Sequence, residues 1–220
     1  MPDFEEPEIN RRLHPSTTAL VVIDMQNDFI HAKGASSRGS SVSSADRYNG
    51  QSLEDRLPAI IDTARRHDVV IVFVRMINDL VYLSPPVAER LDRIGLLGIG
   101  LQSNTWGADY FGDVRPDETR QREFEIVKHR YSAFHGTNLA QLLRSNEIRT
   151  LLFAGVSTSG CVESTAREAL FNDFYGVILS DCVADSDPES HHATLRKYSR
   201  SFGEVMSSDN VAHVWKIAEA

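Results

Sequence analysis

The stretch LLFAGVSTSGCVESTAREAL, residues 151–170, contains a strand, a turn and a helix in immediate succession. The apolar run LLFAGV is typical of a β-strand that is buried on both faces. The small polar residues STSG predict a turn. After the turn, apolar side chains recur at helical spacing at Val162, Ala166, Ala169 and Leu170. Cys161 stands where the turn passes into the predicted helix, so this unit presents a thiol at its junction.

Strand-like and helix-like segments of the same kind alternate along the chain. The predicted strands are 19–24, 68–75, 123–129, 149–156 and 175–181, with 211–215 as a possible sixth. Helical spacing relates Leu53, Leu57, Ile60, Ile61 and Ala64, and again Leu139, Leu142 and Leu143. Strands that alternate with helices pair in parallel through right-handed crossovers. The predicted fold class is therefore α/β, an open doubly wound sheet with helices on both faces.

The composition is that of an ordinary globular protein. The 220 residues are 41% apolar and 25% charged, and the net charge is −8. No basic stripe of the kind that nucleic acid requires is present, no run approaches the length of a membrane span, and the acidic start lacks the apolar core of a signal peptide. Two cysteines give no disulfide framework. We therefore expect a soluble cytoplasmic protein with reduced thiols and neither a nucleic-acid nor a membrane partner.

The chain is expected to form one domain over residues 17–220, preceded by an N-terminal extension over 1–16. Residues 31–52 are rich in Ser and Gly and too long for a passive connection, so they are interpreted as a mobile lid or an insertion. A second long connection, residues 76–122, is expected to fold over the edge of the sheet.

Three reactive side chains lie at predicted strand ends, where open α/β sheets bind their ligands. Asp24 ends the first strand, Lys128 lies near the end of the strand EIVKH, and Cys161 follows the strand LLFAGV. Each also has an ordinary structural interpretation: Cys161 as a small buried apolar residue, Asp24 as a turn or cap residue, and Lys128 as a solvated charge.

Together the three residues form a coherent set for covalent catalysis. The thiolate is the nucleophilic form of cysteine. The helix start and the Lys128 ammonium are expected to favour that form. Asp24 is positioned to take the thiol proton and later to return it to a leaving amine.

The segments ALVVIDMQNDF, VKHRYSAFHGTNL and AGVSTSGCVESTAREAL, in this order, resemble the isochorismatase-like cysteine hydrolases. The resemblance implies a Rossmann-like three-layer α/β/α sandwich with a mostly parallel sheet of about six strands. It also implies a catalytic triad of Asp24, Lys128 and Cys161 and a cis peptide bond at Val156–Ser157. The backbone N–H groups of Ser157 and Cys161 would then form the oxyanion hole. Members of the family are usually homo-oligomers, either dimers or tetramers.

Three details distinguish branches of that family. The Asp-x-His pattern of metal-dependent nicotinamidases is absent after VVIVFVR, so we expect neither a metal nor another cofactor. Cys161 is retained, which favours hydrolysis of an amide or ureido C–N bond over vinyl-ether hydrolysis. The segments KHRYSAFHGTNL and CVESTARE look closest to the ureidoacrylate and N-carbamoyl amide hydrolases. The expected substrate is therefore a small amide or ureido compound that forms a thioester on Cys161.

Four further residues are candidates for substrate binding: Phe29, Arg75, Trp106 and Tyr131. Arg75 departs from the ureidoacrylate pattern and suits a substrate carboxylate, although pairing with an acid such as Asp79 is an equal alternative. The function also has two alternatives: an isochorismatase-type vinyl-ether hydrolase, and a non-catalytic binding module on the same fold.

Overall fold

The computed structural model describes residues 8–36 and 52–218. Its centre is a sheet of six strands in the order β3-β2-β1-β4-β5-β6, and every neighbouring pair is parallel. The strands are β1 (Thr18–Ile23), β2 (Val70–Met76), β3 (Glu123–Lys128), β4 (Thr150–Val156), β5 (Tyr175–Ala184) and β6 (Glu204–Met206). This arrangement confirms the predicted α/β class and the predicted parallel sheet of about six strands.

Eight α-helices accompany the sheet within the described residues. They are α1 (Glu8–Arg12), α2 (Asn27–Ile30), α3 (Leu53–Arg66), α4 (Pro85–Arg93), α5 (Leu139–Ser145), α6 (Glu163–Phe171), α7 (Pro188–Ser201) and α8 (Ser208–Ala218). None of the described helices is both long and apolar enough to cross a membrane.

Two apolar cores lie on opposite faces of the sheet. The first packs α3 and α8 against residues such as Leu20 and Phe73, and the second packs α5, α6 and α7 against residues such as Val21 and Phe153. All residues of β1 and β4 are buried, as expected for central strands covered on both faces. The continuous apolar runs of the sequence therefore correspond to the middle of a three-layer sandwich.

The predicted sixth strand at 211–215 is wrong, because these residues belong to α8. Val211, Val214 and Trp215 are buried on one side of that helix, at the spacing of a helical face. The strand at the sheet edge is instead the three-residue β6, which pairs with β5.

The predicted N-terminal extension and lid lie partly outside the described residues. Residues 37–51, most of the predicted lid, are not described, so the lid stays a prediction. Within the predicted extension, Leu13 is buried in the first core and its carbonyl accepts a 2.8 Å hydrogen bond from Trp215 Nε1. The domain boundary at residue 17 also stays a prediction.

The strand order reverses between β1 and β4, the neighbours at the centre of the sheet. Ligands of doubly wound folds bind beyond the carboxyl ends of the strands at such a switch point. Asp24 follows β1, and the turn that carries Cys161 follows β4, so the fold brings both to this crevice.

Candidate active site

Asp24 is placed by an abrupt change of backbone direction at the end of β1. Its φ of 54° lies in the left-handed region, which aspartate tolerates better than most residues. The Asp24 N–H donates to the Val74 carbonyl at 2.9 Å, which ties the turn to β2. The side chain is fully buried, so the carboxyl group faces the interior of the site.

Gly155 permits the close approach of β4 to this turn. Its φ is +106°, and a Cβ atom built there would overlap the backbone of Ile23, the residue before Asp24. Only glycine satisfies both conditions without strain. The glycine in FAGV thus fixes how closely the two strands that carry Asp24 and Cys161 pack at their carboxyl ends.

Lys128, the last residue of β3, links the other two members of the predicted triad. Its Nζ atom donates to Asp24 Oδ2 at 2.8 Å and lies 3.2 Å from Cys161 Sγ. The Lys128 side chain is fully buried. The structure therefore brings together three side chains that come from distant parts of the sequence and that are predicted to lie at strand ends.

Cys161 lies in a π-helical turn, Thr158–Val162, that leads directly into α6. The peptide bond Val156–Ser157 is cis, as the family resemblance implied. Cys161 is 6% exposed and lines a cavity, so the thiol is shielded from bulk water but open to a small ligand.

Side chains that the sequence analysis missed hold this turn in place. Asp185 accepts hydrogen bonds from the Ser159 N–H at 2.8 Å and the Ser159 hydroxyl at 2.7 Å. His191 Nδ1 lies 2.9 Å from Thr158 Oγ1. Asp185 directly follows β5, which ends at Ala184. The sequence analysis placed the end of this strand at residue 181, so Asp185 was not recognised as a strand-end residue. His191 lies on α7, and no local pattern relates it to residue 158.

Burial and charge set the protonation of the triad. Burial raises the pKa of the Asp24 carboxyl, and the Lys128 ammonium offsets only part of that effect. Burial opposes the charge of Lys128, but Asp24 and Cys161 outweigh it and raise the pKa of Lys128, so the ammonium is retained.

Burial, reinforced by the Asp24 charge, raises the pKa of the Cys161 thiol above its ordinary value by more than Lys128 lowers it. Lys128 acts in the expected direction and favours the thiolate, but burial and the Asp24 charge outweigh it. The expected contribution of the helix start stays a prediction. Burial and the Asp24 charge thus favour the protonated thiol, whose proton needs an acceptor. Asp24 Oδ1 is buried and has no hydrogen-bond partner among the described residues, which leaves this oxygen available.

A cavity of about 540 Å³ opens onto the thiol. Phe29 and Tyr131, both predicted to bind substrate, line it together with Ser157 and Cys161. Apolar side chains from the long connection after β2 form much of the remaining wall: Val87, Leu91, Ile94, Leu96 and Leu101. The volume suits a small molecule.

Arg75 and Trp106 do not belong to the described cavity lining. Arg75 forms a two-pronged ion pair with Glu125 on the adjacent strand, with both N–O distances at 2.9 Å. The alternative partner Asp79 instead accepts a 2.8 Å hydrogen bond from the Ser103 N–H. Trp106 is 51% exposed and lies edge-on to His31. Substrate contacts by Arg75 and Trp106 stay predictions that this geometry does not support.

Over residues 8–36 and 52–218, no three His, Cys, Asp or Glu side chains are grouped so as to hold a metal ion. Lys128 Nζ lies within 2.8 Å of Asp24 Oδ2 and 3.2 Å of Cys161 Sγ, so its ammonium supplies positive charge to both. The expectation of a metal-free reaction stays a prediction.

Comparison with known proteins is consistent with this site. A family model described as the isochorismatase domain matches residues 18–210. The ureidoacrylate amidohydrolase RutB of Acinetobacter baylyi is 27% identical, with 96% of this chain and 88% of that protein aligned.

Solved structures of hydrolases are also similar to this chain. The N-carbamoylsarcosine amidase of Thermoplasma acidophilum has a TM-score of 0.68 and 28% identity, covering 88% of this chain and 97% of that one. A cysteine hydrolase of Pseudomonas syringae pv. phaseolicola has a TM-score of 0.78 at 21% identity, covering 93% and 94% of the two chains, and supports the fold alone. With the family model extending from the start of β1 into α8, this chain belongs to the isochorismatase family.

Proposed function

We propose that this protein is a metal-independent cysteine amidohydrolase that cleaves a C–N bond of a small amide, ureido or N-carbamoyl compound. One observation carries the proposal: the buried Lys128 ammonium lies within hydrogen-bond distance of both Asp24 Oδ2 and Cys161 Sγ, beside a cavity of small-molecule size. A carboxylate, an ammonium and a thiol in this arrangement supply a base, a fixed positive charge and a nucleophile.

The first half-reaction forms a thioester. Asp24 takes the proton of the Cys161 thiol while Sγ attacks the carbonyl carbon of the substrate, and Lys128 stabilises the negative charge that develops on sulfur. The backbone N–H groups of Ser157 and Cys161 are assigned to the oxyanion of the tetrahedral intermediate. Asp24 then gives its proton to the departing nitrogen, and the C–N bond breaks to release ammonia or an amine.

The second half-reaction restores the thiol. A water molecule gives a proton to Asp24 and attacks the acyl or carbamoyl thioester on Cys161. The C–S bond then breaks, and the sulfur regains the proton from Asp24. An acyl thioester yields a carboxylic acid. A carbamoyl thioester yields a carbamate, which decomposes to carbon dioxide and ammonia without further catalysis.

The relatives support the substrate class. A ureidoacrylate amidohydrolase and an N-carbamoylsarcosine amidase both act on compounds that carry a ureido group. The retained thiol supports C–N hydrolysis, since vinyl-ether hydrolysis needs no nucleophilic sulfur. The buried ion pair beside that thiol also argues against a non-catalytic binding module, because an ion pair removed from water has a desolvation cost that no packing role here requires.

We also place the protein in the cytoplasm as a homo-oligomer. Two free cysteines suit a reducing compartment. Leu80, Val81 and Ile99, all in the long connection after β2, are more than 60% exposed and supply apolar surface for a subunit contact. Light scattering of the purified protein tests this part: a dimer or tetramer supports it, and a monomer at micromolar concentration contradicts it.

Ammonia release from a small panel tests the proposed function. The panel contains ureidoacrylate, N-carbamoyl amino acids, biuret, maleamate and nicotinamide, each assayed with chelator present. Wild type is compared with Cys161→Ala and with Cys182→Ala, the buried cysteine away from the cavity. Turnover that survives chelator and Cys182→Ala but is lost in Cys161→Ala supports the proposal. Turnover that persists in Cys161→Ala, or that chelator abolishes, contradicts it.

A further inference from the structure

The two charged side chains that line the described part of the cavity are both cationic. Arg90 and Arg130 contribute guanidinium groups, and His129 lies between Arg130 and the Lys128 strand end. No aspartate or glutamate occurs among the described lining residues. The protein as a whole has a net charge of −8, so this local excess of positive charge runs against the overall composition.

The guanidinium of Arg90 lines the cavity and has no carboxylate partner among the described residues. It lies in the last turn of α4, and its Nε atom donates to the Tyr131 hydroxyl at 3.1 Å. No carboxylate pairs with it among the described residues, whereas Arg75 is engaged on two nitrogens by Glu125. The two terminal nitrogens of Arg90 therefore remain for a ligand, and Tyr131 orients the group.

Arg130, in the loop after β3, lines the same cavity. Its Nη1 atom donates to the carbonyl oxygens of Tyr82 at 3.1 Å and His129 at 2.6 Å. These bonds fix one edge of the guanidinium and leave the remaining N–H groups without an acid partner in the described part of the chain. A planar guanidinium with a free edge matches the geometry of a carboxylate.

We propose that Arg90 and Arg130 form a carboxylate subsite, so that the substrate is an anionic amide or ureido acid. This inference rests on the proposed function and narrows it. One end of the substrate presents its C–N bond to Cys161, and the other end presents a carboxylate to the two arginines. The carboxylate-binding role that the sequence analysis assigned to Arg75 thus falls to Arg90 on α4 and to Arg130 in the loop after β3.

Matched pairs of acid and methyl ester test the subsite: N-carbamoylglycine, ureidoacrylate and maleamate, each with its ester. Wild type, Arg90→Gln and Arg130→Gln are compared with Arg93→Gln, an exposed arginine on α4 that does not line the cavity. Each cavity variant is expected to lower kcat/KM for the acid by about 10- to 100-fold, the range for a hydrogen bond to a charged group. The ester rate and the Arg93→Gln variant should change less than about twofold, which also shows that the variants are folded.

Equal kcat/KM for acid and ester in wild type, or equal losses on both in the cavity variants, would overturn the subsite. Calorimetry on Cys161→Ala separates this inference from the proposed function. If that variant binds the acids but not the esters while wild type releases no ammonia from any compound, the subsite stands and the proposed function fails. If ammonia is released but binding does not distinguish acid from ester, the proposed function stands and the subsite fails.

Discussion

The Lys128 ammonium donates a 2.8 Å hydrogen bond to the Asp24 carboxylate at a place where neither side chain reaches solvent. A buried pair of this kind adds little net stability, but loss of one partner leaves an uncompensated charge in the interior. The arrangement therefore fixes both charges beside Cys161 and makes the site sensitive to replacement of either residue.

Lys128→Met is expected to lower the free energy of unfolding by about 3–5 kcal/mol near neutral pH. Lys128 lowers the pKa of Asp24, so its removal raises that pKa further above the unfolded value. A carboxyl group of this kind stabilises the fold at low pH and loses that contribution as the pH rises through its folded pKa. The deficit relative to wild type should therefore shrink in mildly acidic solution.

Urea denaturation near neutral pH and in mildly acidic solution measures how far the free energy of unfolding of Lys128→Met lies below that of wild type. Arg75→Met is the control, because it breaks the partly exposed pair with Glu125 and should cost less than about 1 kcal/mol. A deficit for Lys128→Met that grows in acid would contradict the account.

Asp24 and Lys128 are expected to shift the reactivity of Cys161 in opposite directions. The Asp24 charge raises the pKa of the thiol, and the Lys128 charge lowers it. Asp24→Asn should therefore accelerate alkylation by iodoacetamide at neutral pH, by about tenfold for each unit that the thiol pKa falls. Lys128→Met should slow it.

Amide hydrolysis, unlike alkylation, also requires a base that accepts the thiol proton. Asp24→Asn should reduce amide hydrolysis about 100-fold or more in spite of faster alkylation, because the base that accepts the proton is lost. Alkylation rates that move in the same direction in Asp24→Asn and Lys128→Met would contradict the assigned charges.

Asp185→Ala is expected to lower kcat about tenfold while KM changes little. The substitution removes the acceptor of the Ser159 N–H and hydroxyl, so the turn that presents Cys161 is no longer fixed. Asp185→Asn, which keeps an acceptor oxygen, should restore part of kcat.

Asp187→Ala serves as the neighbouring control for Asp185. Asp187 caps α7 by accepting from the Glu189 and Ser190 N–H groups. Its loss should cost about 1 kcal/mol of stability without a change in kcat. A fall in kcat that is equal in Asp185→Ala and Asp187→Ala would assign Asp185 a merely structural role.

Gly155→Ala is expected to destabilise the fold by about 3 kcal/mol, since the new Cβ overlaps the Ile23 backbone at an unfavourable φ. Gly112→Ala is the matched control. Gly112 also has a positive φ of +56°, but a Cβ atom there meets nothing within 4 Å. Its cost should be about 1–2 kcal/mol. Thermal unfolding of both variants measures the difference, and equal costs would show that the strand contact is not the constraint.

Much of this fold was predictable from the sequence because its central strands are buried on both faces. The runs around Val21, Phe73 and Phe153 are continuous and apolar, and they contrast clearly with the helical spacing around Leu57. Strand ends then located Asp24, Lys128 and Cys161. The edge strand β6 was not predicted, because the three residues Glu204–Met206 are too few to show the alternation of apolar and polar residues that marks a strand.

The substrate-facing residues were less predictable, because their partners depend on how distant segments align. Arg75 and Glu125 meet only through the register of β2 and β3, which sets Arg75 beside Val127. Arg90 lies in a long connection whose path over the cavity has no local signature. Sequence reasoning could thus identify a group's chemical type but not which arginine remains free of an acid partner.

The central claim is a covalent intermediate on Cys161. Mass spectrometry of enzyme quenched in acid during turnover of the best panel substrate tests it most directly. The account predicts a carbamoyl or acyl adduct on the peptide that contains Cys161, present in wild type and Cys182→Ala and absent from Cys161→Ala. Continued substrate hydrolysis by Cys161→Ala, with no adduct on wild type at any quench time, would contradict it.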